Sequence, residues 1–178
     1  MAKRGYTRDT IRGGASEWDV SRPLSSALRL LATLVVHPVR FFDVLPRVPD
    51  PRAPALFIAF AGAISALLWL LIEGRLAALA VFVLALPASL VLALPYHLAS
   101  WGGRYGFLVT WRTLAYPFGF CLPLTAVPGL RWAATAYAGF VLLSVGLHRV
   151  RELPAWRAAL VATVVTAAVL VPVFLLTR

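Results

Sequence analysis

Charge-poor apolar stretches alternate with short polar segments along most of this chain. The hydrocarbon core of a bilayer is about 30 Å thick, so a helix needs roughly 20 predominantly apolar residues to cross it. The pattern therefore predicts five transmembrane helices, and the short connections are typical of antiparallel neighbours. The predicted spans cover residues 53–72, 76–98, 107–127, 132–147 and 155–176.

The apolar segment that precedes these spans has a different pattern. Residues 24–52 contain Arg29 and Arg40 within their apolar part, and the stretch between these two charges is too short to cross a bilayer. Apolar residues recur there at helical spacing as far as Pro38, so we expect an amphipathic helix along the cytoplasmic face of the membrane. Its predicted membrane-surface anchor is Arg40, Phe41 and Phe42.

The chain begins with a basic segment, residues 1–23, that is rich in Gly, Ser and Thr. No short apolar core with a cleavage site follows it directly, so we expect it to remain in the mature protein and to be loosely ordered. The predicted organisation is this segment, an interfacial segment and linker over 24–52, and a transmembrane domain over 53–178.

Composition agrees with a membrane protein and excludes a water-soluble globular one. Of the 178 residues, 61% are hydrophobic and only 13% are charged, whereas about a quarter of an average soluble domain is charged. A chain of this size has too little interior to bury so much apolar surface away from water. The sequence thus predicts an all-α integral membrane protein.

Positive charge is distributed unevenly between the two sides of the five-span arrangement. The chain has 17 Lys and Arg but only 7 Asp and Glu, a net charge of +10. Fourteen of the 17 fall on the N-terminal side when Arg112 and Arg157 are counted there, and the others are Arg75, Arg131 and Arg178. By the positive-inside rule, the N-terminus is cytoplasmic and the C-terminus lies outside the inner (plasma) membrane.

Residue types that commonly support catalysis or ion coupling in membranes are scarce. No Asp or Glu lies inside a predicted span, and the three histidines match no metal-binding spacing. The single cysteine excludes an internal disulfide, and a hydrolase is unsupported because the Gly-x-Ser-x-Gly motif is absent. Aromatic residues lie in apolar runs rather than among the N-terminal arginines, which disfavours nucleic-acid binding. We therefore expect no enzymatic activity, catalytic residue, metal or cofactor.

A basic pocket is the best candidate site that the spacing provides. An arginine inside a span is costly unless it snorkels or finds a polar partner, and Arg112 would lie about 10 Å from the cytoplasmic end of its span. Snorkelling is the simpler interpretation. Alternatively, Arg112 joins basic residues at similar depth in neighbouring spans to hold an anionic lipid headgroup. That candidate site consists of His97, Arg104, Arg112 and His148.

Four stretches combine small, aromatic and basic residues in a distinctive way. They are 37–45 (HPVRFFDVL), 111–117 (WRTLAYP), 136–140 (AYAGF) and 156–159 (WRAA). Together with the five spans, they resemble the Yip domain family, polytopic membrane proteins named for interaction with Ypt and Rab GTPases. The resemblance covers residues 24–176, and the Arg- and Ala-rich composition is typical of the bacterial branch. It implies a membrane scaffold or a trafficking-like role.

Two functions fit this sequence. The first is a non-enzymatic integral membrane protein that binds anionic lipid, a partner membrane protein or a second copy of itself through its cytoplasmic surface. The alternative is a small carrier or lipid-translocating permease, because helices broken near the membrane midplane create polar backbone sites in transporters. Its candidate broken helices are spans two and three, which contain Pro87, Pro95, Pro117 and Pro123. Simple kinks are the more common result of prolines in spans.

Overall fold

The computed structural model describes residues 18, 22–47, 50–74 and 78–176, without the side chains of residues 73 and 173–176. The predicted loosely ordered segment lies outside the described residues except for Trp18, Arg22 and Pro23, and Arg178 also lies outside them. The described part is all-helical and contains no strand, which confirms the predicted fold class at this level.

Seven helices make up the described part of the chain. Two short helices, α1 (Pro23–Val36) and α2 (Pro38–Val44), precede five long ones. The long helices are α3 (Arg52–Glu73), α4 (Ala78–Ala99), α5 (Phe107–Thr125), α6 (Leu130–Val150) and α7 (Ala155–Leu176). Within α6, residues Tyr137–Leu142 are π-helical.

Proline and glycine mark several helix boundaries. Pro23 and Pro38 each occupy the first turn of a helix, where the missing N–H is tolerated. Pro38 also separates α1 from α2, because a proline ring disfavours the helical conformation of the preceding residue. At the other end of a long helix, Gly74 follows α3 with φ at 65°, a left-handed conformation that suits glycine.

Four helices are long and apolar enough to cross a membrane by length and composition: α3, α4, α6 and α7. Helix α5 is not among them, since its 19 residues include Arg112 and two prolines. Twelve residues of α5 are buried, and the helix packs against α3, α4 and α6. Helix α5 is therefore the central helix, and its neighbours shield its polar side chains.

Hydrogen bonds at its two ends show that α5 runs between the same two ends as the helices around it. At one end, the backbone N–H of Arg104 donates to the carbonyl of Arg151, which follows α6 (3.4 Å). At the other end, Trp69 Nε1 of α3 donates to Thr125 Oγ1 (3.4 Å), and Arg131 Nε of α6 donates to the Thr125 carbonyl (2.9 Å). The long helices thus form an antiparallel bundle. We name the end formed by residues 43–47, 100–106 and 149–157 the basic end.

The four prolines of the second and third predicted spans lie inside continuous helices. Pro87 and Pro95 are within α4, and Pro117 and Pro123 are within α5. The chain therefore stays helical at these four positions, and the helices do not break there. Neighbouring helices tolerate the missing hydrogen bonds because the bundle packs around them.

Helices α1 and α2 pack against the flank of the bundle. Leu30 and Leu34 of α1 are buried, and the hydroxyl of Tyr137 in α6 donates to the carbonyl of Val35 (2.9 Å). Other apolar residues of α1 face outward, including Leu28 with 69% exposure. The helix therefore has one face toward the protein and one toward its surroundings.

The predicted membrane-surface anchor needs correction. Phe41 and Phe42 are only 1% and 0% exposed, so they cannot insert into a membrane surface. The Phe41 ring packs edge-on against Tyr116 of α5, with centroids 5.4 Å apart. Phe42 lies against Gly146 of α6, where an added Cβ would be 3.0 Å from its Cε1. Only Arg40 of the three remains exposed.

Candidate functional site

Arg151 is the most connected polar residue of the basic end. It follows the last turn of α6, and it is only 2% exposed. Its Nη1 donates to the carbonyl of Tyr105 (2.6 Å) and to Thr110 Oγ1 (2.6 Å), and its Nη2 donates to the carbonyl of Ser100 (3.0 Å). Arg151 thus ties the end of α6 to the loop between α4 and α5 and to α5 itself. Burial lowers the pKa of its guanidinium, which nevertheless stays charged at neutral pH.

The contact between Arg151 and His97 brings α4 into the same network. Arg151 Nη1 lies 2.9 Å from Nδ1 of His97, and Thr110 Oγ1 lies 3.0 Å from the same nitrogen. His97 therefore belongs to the group of polar side chains around Arg151.

A glycine makes room for the buried guanidinium. A Cβ added to Gly103 would lie 2.6 Å from both Nε and Nη2 of Arg151. The loop backbone approaches the arginine this closely only because position 103 has no side chain. The loop and Arg151 are therefore fitted to each other.

Glu152 bridges two further arginines at the surface of the basic end. Its carboxylate accepts from Nη1 of Arg47 (2.9 Å) and from Nη1 of Arg104 (3.1 Å). Glu152 has φ at 56°, a left-handed backbone conformation that is uncommon outside glycine and asparagine. This turn directs Arg151 into the bundle and the Glu152 carboxylate toward the surface. Arg104 remains the more accessible partner, with 64% of its side chain exposed.

The remaining charged and basic residues of this end also contact its loops. Arg47 Nη2 donates to the carbonyl of Arg149 (3.0 Å), and Arg149 lies 3.7 Å from the carboxylate of Asp43. Arg157 donates to the carbonyl of Trp101. His148 Nδ1 lies 2.7 Å from the carbonyl of Leu153, so this nitrogen must be its protonated donor.

Positive charge therefore exceeds negative charge among the described residues of the basic end. Five guanidinium groups meet only two carboxylates there, those of Asp43 and Glu152. We call these five the arginine cluster: Arg47, Arg104, Arg149, Arg151 and Arg157. Such a surplus attracts anions to the face that the cluster forms.

Three of the four predicted headgroup residues surround one loop, and the fourth lies elsewhere. His97 contacts Arg151, Arg104 contacts Glu152, and His148 contacts Leu153. Arg112 is two positions beyond Thr110 on α5, about 200° around the helix, so it faces away from Arg151.

Arg112 is buried inside the protein. Its side chain is 2% exposed, so it does not snorkel to the surface, and that expectation is wrong. Its guanidinium lies beside the hydroxyl of Tyr116, one turn later on α5. The Tyr116 ring packs against Phe41 and Phe57. Arg112 is therefore a polar residue of the core rather than a surface ligand.

Sequence reasoning missed the two residues that organise the site. The sequence pattern assigns Arg151 and Glu152 no role beyond their contribution to the net charge. Glu152 is one of only 7 acidic residues in the chain, and it stands next to arginines in the connection between two spans. In the sequence, a carboxylate in such a basic turn is the feature that indicates an ion-paired cluster.

Neither the chemistry of this end nor sequence comparison identifies a known kind of site. Within the described ranges, no group of three or more His, Cys, Asp or Glu side chains could hold a metal ion. No family model, curated protein or solved structure matches the chain. The inference of function therefore depends on geometry and charge.

Proposed function

We propose that this protein is a non-enzymatic integral membrane protein whose basic end binds anionic phospholipid headgroups at the cytoplasmic face. The observation that supports this proposal is the surplus of guanidinium groups over carboxylates in the arginine cluster. Arginine forks match phosphate oxygens in geometry, and each basic residue near an anionic surface contributes about 1 kcal/mol.

The proposed topology has five crossings, with α5 as the third. Four helices qualify as spans by composition, and α5 extends between the same two ends of the bundle as they do. The arginine cluster then faces the cytoplasm, in agreement with the positive-inside rule. The N-terminus is cytoplasmic and the C-terminus is outside the plasma membrane in this arrangement.

We retain membership of the bacterial branch of the Yip domain family as a proposal. Its basis is the sequence resemblance of the four stretches, which pack within the bundle. Phe41 from the first stretch contacts Tyr116 from the second, and Gly139 from the third lies against Thr166 of α7. A scaffold role with a partner membrane protein, or as a homo-oligomer, is compatible with such a packed unit. The carrier alternative has less support, since the helices proposed to break are continuous.

The headgroup proposal is tested by native mass spectrometry of the full chain, purified with mixed phosphatidylglycerol and phosphatidylcholine. The double variant Arg104→Gln/Arg157→Gln should reduce the retained phosphatidylglycerol about fivefold per removed charge. Both side chains lie at the rim of the cluster, so the fold should be retained, as checked by circular dichroism.

Arg131→Gln is the matched control, because Arg131 lies at the opposite end of the bundle against Trp69. It should leave the ratio of the two lipids unchanged. If the folded double variant retains as much phosphatidylglycerol as the native chain, the arginine cluster is not a headgroup site. An equal loss in Arg131→Gln would mean that the effect depends on total charge alone.

A further inference from the structure

The second feature with binding potential is a crevice of about 160 Å³ between α4, α5, α6 and α7. Its lining along α5 begins at Leu114 and ends at Thr125, the last residue of that helix. The crevice thus extends from the middle of the bundle, where Leu92 and Tyr96 of α4 line it, toward the end that is remote from the basic end. It is separate from the arginine cluster.

The π-helical part of α6 forms one wall of this crevice. Ala138 and Gly139 line it, and both belong to the segment Tyr137–Leu142. Such widened turns are rare and occur frequently at functional sites. Gly139 lies directly against the Thr166 side chain, where a Cβ would overlap with Cγ2 of the threonine. The backbone of α6 thus approaches α7 at Gly139.

Polar side chains that line the crevice already have hydrogen-bond partners within the protein. The hydroxyl of Tyr96 and Oγ1 of Thr166 are 2.7 Å apart, a bond that joins α4 to α7 at the end nearer the basic end. Cys121 Sγ donates to the carbonyl of Ala134 (3.3 Å). Buried water needs several polar partners. Because these polar groups already bond within the protein, the crevice favours an apolar occupant over water.

The position of the crevice determines which apolar molecule can reach it. Its half-exposed lining residues include Leu92 of α4, Phe118 of α5 and Leu170 of α7, so it is open to its surroundings. Helices α4, α6 and α7, which form three of its walls, qualify as membrane spans. At this depth in a bilayer, the molecules next to such an opening are hydrocarbon chains.

We propose that this crevice binds one acyl chain of a phospholipid, inserted among α4, α5, α6 and α7. The proposal relies on the membrane placement given above, but it does not depend on headgroup binding by the arginine cluster. Lipid and protein interior are equally apolar, so the chain is held by van der Waals packing against the crevice wall.

The test uses a phosphatidylcholine with a photoreactive diazirine near the end of one chain, because this headgroup is electrically neutral. The full chain is reconstituted in nanodiscs, irradiated and digested, and the labelled peptides are identified by mass spectrometry. Label should appear on Pro117, Cys121 and Leu122 of α5, which line the crevice. These three residues are buried in the bundle, so a lipid chain reaches them through the crevice.

Ala138→Leu fills the crevice, and Ala133→Leu makes the same change on an exposed position of the same helix. Ala138→Leu should reduce labelling of α5 about threefold, equivalent to about 0.7 kcal/mol. Ala133→Leu and the double variant Arg104→Gln/Arg157→Gln should leave it unchanged. If Ala138→Leu does not fold, Thr135→Leu fills the crevice from another lining position.

Absence of label on α5 in the native chain would overturn the acyl-chain site. Equal labelling of native and crevice-filled variants would do the same. Either result leaves the headgroup proposal intact, because phosphatidylglycerol retention is measured separately. Conversely, labelling of α5 with unchanged phosphatidylglycerol retention in the arginine variants would support the crevice and contradict the headgroup site.

Discussion

Replacing Arg151 with methionine tests whether the buried guanidinium stabilises the basic end. Methionine retains a long apolar side chain but removes every donor. Three acceptors lose a bond: the carbonyls of Ser100 and Tyr105 and Thr110 Oγ1. Three segments of the chain would no longer be joined through this residue.

The expected loss follows from these bonds and from what can replace them. Hydrogen bonds from a charged donor contribute about 1.5–3 kcal/mol each, so three at the lower limit amount to about 4.5 kcal/mol. The Ser100 carbonyl also accepts from the N–H of Gly103 (3.0 Å), and Thr110 Oγ1 keeps its contact with His97. About a third of the energy is thereby recovered, and we expect a decrease of about 3 kcal/mol in the free energy of unfolding.

The assay is unfolding of the purified full chain in mixed micelles with increasing SDS, followed by circular dichroism. Arg104→Met is the matched control, since it makes the same substitution at an exposed ion pair of the same end. It should cost less than about 1 kcal/mol. Arg151→Lys should fall between the two, because lysine keeps the charge but not the planar fork.

The reasoning would be refuted if Arg151→Met and Arg104→Met unfolded within about 0.5 kcal/mol of each other. That result would show that the desolvation cost avoided by removing a buried charge offsets the three lost bonds. A loss in Arg151→Lys as large as in Arg151→Met would show that fork geometry, rather than charge, determines stability here.

Two further predictions concern the topology and the packing of the bundle. A reporter that is active only outside the cytoplasm should be silent when it is fused after Gly103, active after Gly129 and silent again after Glu152. Silence after Gly129 would mean that α5 does not cross the membrane. Gly139→Ala should lower the free energy of unfolding by about 1–3 kcal/mol, because its Cβ would overlap with Thr166. The double variant Gly139→Ala/Thr166→Ser should recover part of that loss in the same SDS titration, and no recovery would contradict the close contact as its cause.

The boundaries of the long helices could be predicted closely from the sequence. The apolar pattern predicts helix starts at residues 107 and 155, and α5 and α7 begin there. This works because the length of an apolar run reflects the thickness of the bilayer. Helix α6 extends to Val150, beyond the predicted end at residue 147, since His148 and Arg149 stay helical and find partners in the neighbouring loops.

The surroundings of individual side chains could not be predicted in the same way. In water, an apolar face identifies the side of a helix that packs. In a bilayer, apolar residues face both lipid and protein, so the pattern alone does not distinguish Phe42, which is buried, from Leu28, which is exposed.

The sequence by itself therefore determined the class of protein, the positions of the long helices and the side with excess positive charge, because these depend on local hydropathy and charge. Only the tertiary structure placed Arg112 in the core and Arg151 at the centre of the basic end. Both are arginines next to apolar runs, and their different environments depend on which helices pack beside them. That choice is made by contacts between residues distant in the chain, such as Gly103 with Arg151, which no local pattern encodes.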